Sequence, residues 1–492
     1  MTTQKRVPRR GGMARNFIHL GLGQATTTVM TIVISYTLAR VLTTSEFGLL
    51  FLLTSTATFA FVVVDWGHGT VVVREASRHP EKAGELFGST LAMRTIGAAI
   101  AGPMVIAIMW LLGYETLTCL LAGVAVVVAL PQYLGLSFGW VFRAYERMDR
   151  EALINVVFKF ANFLCAVVCV LLGGRVLGLI LACSVAGWIT LFLAISWYRK
   201  LQLPTITAHK ATSRQLLREG APIFAMSLAV AVEPVFNANI LYKLSSPEAA
   251  AWYGAAWTIA GSLVAPATVL ATAMYPRLSP AADDPVEFKR IMSVSFRPLF
   301  VVAMLGATGT YLFADVPVKL VFGFPKFMQA AETLRAFAPL LLLMYVNLFL
   351  STAVLALGKA SWLAISKIGA VALVLGLSFV LVPYCEQRFG NGGLGVMYAM
   401  LVGEFLMAAV SWVLVRQAID GRMVGEILRC VVASAATLLL FELLPEFTPF
   451  IGIPLCVLVF GAVSWVVGAI RRSDVDMLLA SLRKPKPAAS AA

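Results

Sequence analysis

Residues 16–41 read NFIHLGLGQATTTVMTIVISYTLARV, and residues 42–46, LTTSE, separate them from a second apolar run that begins at Phe47 and continues to Gly67. Between Asn16 and Arg40 there is no acidic residue, lysine or arginine over more than twenty positions. About 20 mostly apolar residues suffice to cross the hydrocarbon core of a bilayer as an α-helix. The stretch is too long for the apolar region of a signal peptide and lacks a convincing cleavage site, although Lys5, Arg6, Arg9, Arg10 and Arg15 precede it. It predicts an uncleaved first membrane helix, turning at Thr43–Glu46 into a second.

The same window applied outward from this hairpin gives spans near 16–41, 47–67, 86–112, 117–141, 152–172 and 176–198. After a polar break at 199–220 come 221–243, 249–275, 291–314, 333–357, 361–382 and 393–416, then 425–444 and 450–470. The expected fold class is therefore all-α, a polytopic membrane protein of about 14 transmembrane helices. Composition agrees: 60% of the 492 residues are hydrophobic and 13% charged, with a mean hydropathy of +0.86. Soluble domains average about 25% charged residues, so this chain needs lipid as a solvent.

The formal net charge of +14 lies in short segments between apolar runs, which argues against nucleic acid as a partner. With the N-terminus assigned to the cytoplasm, Arg40, Arg175, Lys243, Lys319, Lys326, Arg335 and Arg388 fall on the far side. The other 32 of the 39 lysines and arginines fall on the near side. Cytoplasmic loops carry the excess of Lys and Arg, so an even number of spans with both termini cytoplasmic is expected. Six of the seven cysteines lie in apolar runs and no Cys-x-x-Cys pair occurs, so neither a disulfide framework nor a metal site is expected. Phosphate-loop, metal-cluster and Ser/His/Asp patterns are not seen, and no cofactor is expected.

The hairpin has an echo. Lys243 and Leu244-Ser245-Ser246-Pro247-Glu248 repeat Arg40 and Leu42-Thr43-Thr44-Ser45-Glu46 at an offset of 202–203, at which Arg74 also matches Arg277 and Arg94 matches Arg297. Two parallel six-helix bundles follow, 1–200 and 201–418, with residues 419–492 adding two helices and a basic tail. Duplicated bundles of this kind place a substrate cavity between the two halves, which is an architectural expectation of transport.

Ionisable groups at membrane depth cost about 2.5–3.5 kcal/mol each on insertion scales. Arg94, Lys159, Arg297 and Lys367 are such groups, each about 10 Å from the cytoplasmic end of its span at ~1.5 Å per residue. Asn155, Lys159 and Asn162 form one polar stripe at i, i+4 and i+7. Asn16, Gln24, Thr27, Thr31 and Ser35 form another with His19 at its edge. These stripes either line a cavity or pack helices together, and the cations either face a cavity or snorkel. Three acids are candidates for ion coupling. Glu233 shares a face with Asn237 beside Pro234. Asp65 either couples an ion, pairs with Arg74 or caps a helix, and Glu404 either couples an ion or neutralises Lys367.

Several short motifs, in order along nearly the whole chain, resemble one family. They are Asn16, Leu38-Ala39-Arg40-Val41-Leu42 through Glu46-Phe47-Gly48, Asp65-Trp66-Gly67 and Val73-Arg74-Glu75. Further along come Trp252-Tyr253-Gly254-Ala255-Ala256, Tyr275-Pro276-Arg277-Leu278-Ser279, Leu357-Gly358-Lys359 and Gly392-Gly393-Leu394-Gly395. The chain is similar to the polysaccharide or O-antigen flippases of the multidrug/oligosaccharidyl-lipid/polysaccharide exporter superfamily. The resemblance implies a central cavity, alternating access, and movement of an undecaprenyl-diphosphate-linked oligosaccharide from the inner to the outer leaflet of a bacterial cytoplasmic membrane. Polysaccharide polymerase and glycosyltransferases would be its protein partners. Under it, Arg94, Lys159, Arg297 and Lys367 would form a collar for the diphosphate. A drug/cation antiporter of the same superfamily would stop at twelve helices and want an acidic cavity. A membrane polymerase or glycosyltransferase would need a sizeable outer loop, whereas the 315–332 loop is short.

Overall fold

The computed structural model describes residues 13–419, 421–444 and 448–470. The basic segment before residue 13 and the tail after 470 lie outside the described residues, as do the side chains of Asn16, His19, Gln24 and Arg277. No strand occurs among the described residues, and the chain is all-helical. In order the helices are α1 (Met13–Val41), α2 (Thr44–Asp65), α3 (His68–Arg78), α4 (Ala83–Leu111), α5 (Thr116–Ala144), α6 (Met148–Leu171), α7 (Val176–Lys200) and α8 (Lys210–Leu244). There follow α9 (Pro247–Leu278), α10 (Pro285–Phe313), α11 (Asp315–Val321), α12 (Met328–Ala356), α13 (Ala360–Phe389), α14 (Gly392–Leu414), α15 (Gly421–Leu443) and α16 (Pro449–Val466).

Among the described residues, eleven of these are long and apolar enough to cross a membrane. α1, α8 and α9, of 29, 35 and 32 residues, coincide with the first, seventh and eighth sequence spans. The fourteen long helices expected from hydropathy are thus in place, and the protein is a multi-pass membrane protein. Two features differ from the sequence reading. The residues after the second span fold into a separate short helix, α3, and α8 starts at Lys210 within what hydropathy treats as a polar break. A hydropathy window ends where charge begins; a helix does not have to.

The turn that opened the sequence reading is a capping box. Thr43 Oγ1 accepts from the Glu46 backbone N–H at 3.2 Å, while Glu46 Oε2 accepts from the Thr43 N–H at 2.8 Å. In the repeated segment Ser246, one position after the counterpart of Thr43, caps α9 by accepting from Ala249 N–H at 3.0 Å. The sequence echo is therefore also an echo of local structure.

The chain forms two compact units. One contains Met1–Ala255, Lys319–Met328 and Ser378–Gly393; the other contains Ala256–Val318, Gln329–Leu377 and Leu394–Ala492. In the first, α5 is the central helix, packed by α2, α3, α4, α6 and α7. Its approach to α7 is backbone to backbone: a Cβ on Gly187 would lie 2.6 Å from Gln132 N. Small residues at such crossings are how membrane helices gain contact without a hydrophobic drive between them. Around α5 lie two apolar clusters. One holds Leu52, Phe61, Met109 and Val126, the other Phe87, Phe138, Phe142 and Ile154. In the second unit α10 packs against α15 and α16, and Phe296 meets Phe300 and Phe349 at ring-centroid distances of 5.2 Å.

Candidate functional site

Within the first unit, α1, α5 and α6 enclose a cavity of about 760 Å³. The wall from α5 follows from its sequence: Gln132, Leu136, Trp140 and Arg143 recur at helical spacing on one face of an otherwise apolar helix. α6 contributes Glu151, Ala152, Asn155, Phe158 and Lys159, and α1 contributes Gly23, Thr27, Thr28 and Thr31. Amides, hydroxyls, an indole and two cations thus converge on one volume, the combination that small-molecule sites use to orient a polar ligand.

The charges in this cavity are not equivalent. Arg143 and Glu151 form a two-pronged pair, with Nε 2.9 Å from Oε2 and Nη2 bonded to Oε1. Lys159 lines the same cavity two turns further along α6, and among the described residues no carboxylate lies within 4 Å of its ammonium. Asn155 donates to the Glu151 carbonyl at 2.9 Å and Thr31 to the Thr27 carbonyl at 2.9 Å, so both are held in fixed orientations. Gln132 Oε1 accepts from Cys183. Asn162, the third member of the α6 stripe, is not among the lining residues.

Arg94 sits on α4 with only 2% of its surface exposed. Its guanidinium is bound by Asp65, by the Tyr133 carbonyl and by the Ser137 hydroxyl, and lies 4.4 Å from the centroid of the Trp140 ring. Asp65 therefore partners Arg94; Arg74 instead bonds Glu219 on α8 and Glu75. On α8, Glu233 and Asn237 are both buried, and Asn237 donates to Tyr253 Oη at 3.0 Å. In the second unit Arg297 lies 3.0 Å from Glu426, and Lys367 lies 3.2 Å from Glu404. Glu404 also accepts from Asn347. Of the four intramembrane cations, Arg94, Arg297 and Lys367 are each matched with a carboxylate, and Lys159 is the one that faces the cavity.

Sequence reasoning passed over Arg143, Glu151, Gln132 and Trp140. Hydropathy ends the fourth span at 141 and starts the fifth at 152, so Arg143 and Glu151 fall in the loop between them. The helices run on to Ala144 and begin at Met148. The 132, 136, 140, 143 periodicity was the available signal.

The chain matches the family model for polysaccharide biosynthesis proteins over residues 13–281. It belongs to the polysaccharide biosynthesis protein family. Among curated proteins none matches it by sequence. The fold of this polysaccharide biosynthesis protein is similar to that of the lipid II flippase MurJ in an inward closed conformation, with a TM-score of 0.74 and 11% identity, covering 93% of this chain and 99% of that one. It is also similar to an inward-facing multidrug resistance MATE family transporter of the MOP superfamily, at 0.62 and 16%, covering 82% and 97%. A MOP superfamily transporter from Pyrococcus furiosus gives 0.58 and 18%, covering 85% and 98%. At these identities the likeness concerns the fold alone.

Proposed function

We propose that this protein flips an undecaprenyl-diphosphate-linked oligosaccharide from the inner to the outer leaflet of a bacterial cytoplasmic membrane, feeding the assembly of a surface polysaccharide such as lipopolysaccharide or exopolysaccharide. The observation that carries the reading is the cavity in a membrane-spanning unit, where the Lys159 ammonium stands among Asn155, Gln132 and threonine hydroxyls with no carboxylate within 4 Å among the described residues. Family membership and the likeness to a lipid II flippase point the same way.

The chemistry follows from the lining. Lys159 is a flexible point charge suited to a phosphate oxygen, and the amides and hydroxyls pair with sugar hydroxyls. The polyprenyl chain remains in lipid while the headgroup crosses inside the protein, exposed alternately to each membrane face. Arg94 with Asp65, Arg297 with Glu426 and Lys367 with Glu404 keep charge at membrane depth without leaving it uncompensated. Glu233 beside Pro234 is the ion-coupling candidate, since Pro234 removes a backbone donor from α8 at that point. A polymerase and glycosyltransferases would consume and supply the substrate. A cationic drug would find only one acid on this cavity wall, Glu151, and that one is already held by Arg143.

The test is genetic and chemical. Deleting the gene should cause the completed undecaprenyl-linked repeat unit to accumulate, and Lys159→Gln should reproduce that accumulation with normal protein levels. Loss of the repeat unit before completion would instead mark an assembly enzyme.

A further inference from the structure

A cavity with two cations presents a transporter with a difficulty: a site that holds a diphosphate firmly also keeps it. Transport requires binding strong enough to enter and weak enough to leave. The Arg143–Glu151 pair bears on this. Both residues line the cavity that contains Lys159. The Glu151 side chain is 8% exposed and the Arg143 side chain 46% exposed. Glu151 lies in the first turn of α6, where the helix dipole favours an acid. It lies flat against α5 because residue 139 is glycine; a Cβ there would come within 3.1 Å of Glu151 Cγ. The carboxylate is thus fixed in place, and the guanidinium at the water-facing edge is the partner able to move. A guanidinium fork accepts a carboxylate or a phosphate with the same two-pronged geometry.

We propose that Glu151 is a built-in counter-ion that competes with the substrate's phosphate for Arg143. Resting on the flippase reading above, this assigns Arg143 as a second phosphate contact and Glu151 as the residue that limits affinity. When the headgroup enters, it meets Arg143 first, which exchanges the carboxylate for a phosphate oxygen pair, and Lys159, deeper along α6, then takes up the second phosphate. Glu151 is left buried and uncompensated, a state that is costly for an ion. Return of Arg143 to Glu151 then favours release. A neutral glycan offers no doubly charged group to win that exchange, so the pair also selects for phosphorylated lipids.

The full-length protein in lipid nanodiscs tests this with undecaprenyl diphosphate as the probe, alongside flipping of a fluorescent undecaprenyl-diphosphate disaccharide in proteoliposomes. Glu151→Gln should bind undecaprenyl diphosphate at least tenfold more tightly than the wild type and flip the disaccharide several-fold more slowly. Combining it with Arg143→Gln should abolish the gain. Glu151→Asp, which keeps the charge but shortens the reach, should give a smaller gain and decides the matter if Glu151→Gln does not fold. A role confined to holding α5 against α6 would weaken binding in every variant, and that result overturns the proposal. Wild-type affinity in both Glu151 variants, with binding still reduced by Lys159→Gln, overturns the counter-ion alone. Failure of the wild type to bind undecaprenyl diphosphate overturns the flippase reading and this inference with it.

Discussion

Two residue-scale arrangements carry the interior of the first unit, and each makes a measurable claim. Arg94 is fully enclosed and depends on Asp65 for its charge balance. Breaking a buried pair by removing one partner typically costs about 3–5 kcal/mol, whereas removing both costs less than the sum. Asp65→Ala and Arg94→Ala should therefore each lower the thermal midpoint of the detergent-purified protein sharply. The double variant should recover part of the loss, and strict additivity would show that the pair does not function as one. His68, in the short helix α3, is 1% exposed, and neither of its ring nitrogens has a hydrogen-bond partner. Burial, and then the nearby Arg94 charge, push its pKa down to about 4 from an ordinary 6.5. The folded state thus binds fewer protons than the unfolded one between those values. Stability falls as pH drops below about 6.5 and the loss levels off below about 4, amounting to roughly 3 kcal/mol in all. Thermal midpoints at pH 7 and pH 5 should differ less in His68→Gln than in the wild type; equal slopes would remove His68 from the account. Little of this was legible beforehand. Arg94 stands out in the sequence as a cation in an apolar run, but its partner lies 29 positions away on another helix, and the sequence offers Asp65 only the nearer Arg74. Lys367 and Glu404 were easier to match, because each was the obvious opposite charge in its neighbourhood of apolar residues.

At the scale of elements, hydropathy located the long helices because burial in lipid imposes a minimum length of apolar residues. It misjudged their ends for the same reason. α5 and α6 carry charged turns beyond the apolar window, and those turns hold Arg143 and Glu151. The walls of the cavity were half legible: the Asn155/Lys159 stripe is polar within an apolar helix, whereas Gln132 and Trp140 join it only because α5 packs beside α1 and α6, a pairing that the linear sequence does not carry. The α5–α7 crossing holds α5 from its other side. That crossing is itself testable. Gly187 leaves no room for a side chain, since a Cβ would meet the Gln132 backbone nitrogen at 2.6 Å, and backbone cannot step aside as a flexible side chain does. Overpacking of a tight core costs about 1–3 kcal/mol and sometimes more. Gly187→Leu should push α7 from α5, lower the thermal midpoint, and weaken undecaprenyl diphosphate binding by displacing Gln132. Gly187→Ala should show the same effects at smaller amplitude. A leucine variant with wild-type stability and binding would show that the contact is dispensable.

For the molecule as a whole, the direction of transport depends on which membrane face the Arg143–Glu151 end of the cavity meets. That end lies at the turn between α5 and α6, and Lys159 stands eight residues further along α6, about 12 Å deeper at ~1.5 Å per residue. The turn belongs to the side on which 32 of the 39 lysines and arginines fall, and such an excess marks the cytoplasm. A headgroup from the inner leaflet would then reach Arg143 before Lys159, which is the order that inner-to-outer flipping requires. Single cysteines settle the orientation, since the seven native ones are all buried or half-buried and can be replaced as a set. In such a background Ala211→Cys, exposed at the start of α8, should react with a membrane-impermeant maleimide only after the membrane is opened. Gln387→Cys, exposed near the end of α13, should react in intact spheroplasts. The reverse pattern would place the loading end of the cavity outside the cell. An inner-leaflet substrate would then meet Lys159 from the wrong direction, and the proposed path of the headgroup would have to be abandoned even if the cavity bound it.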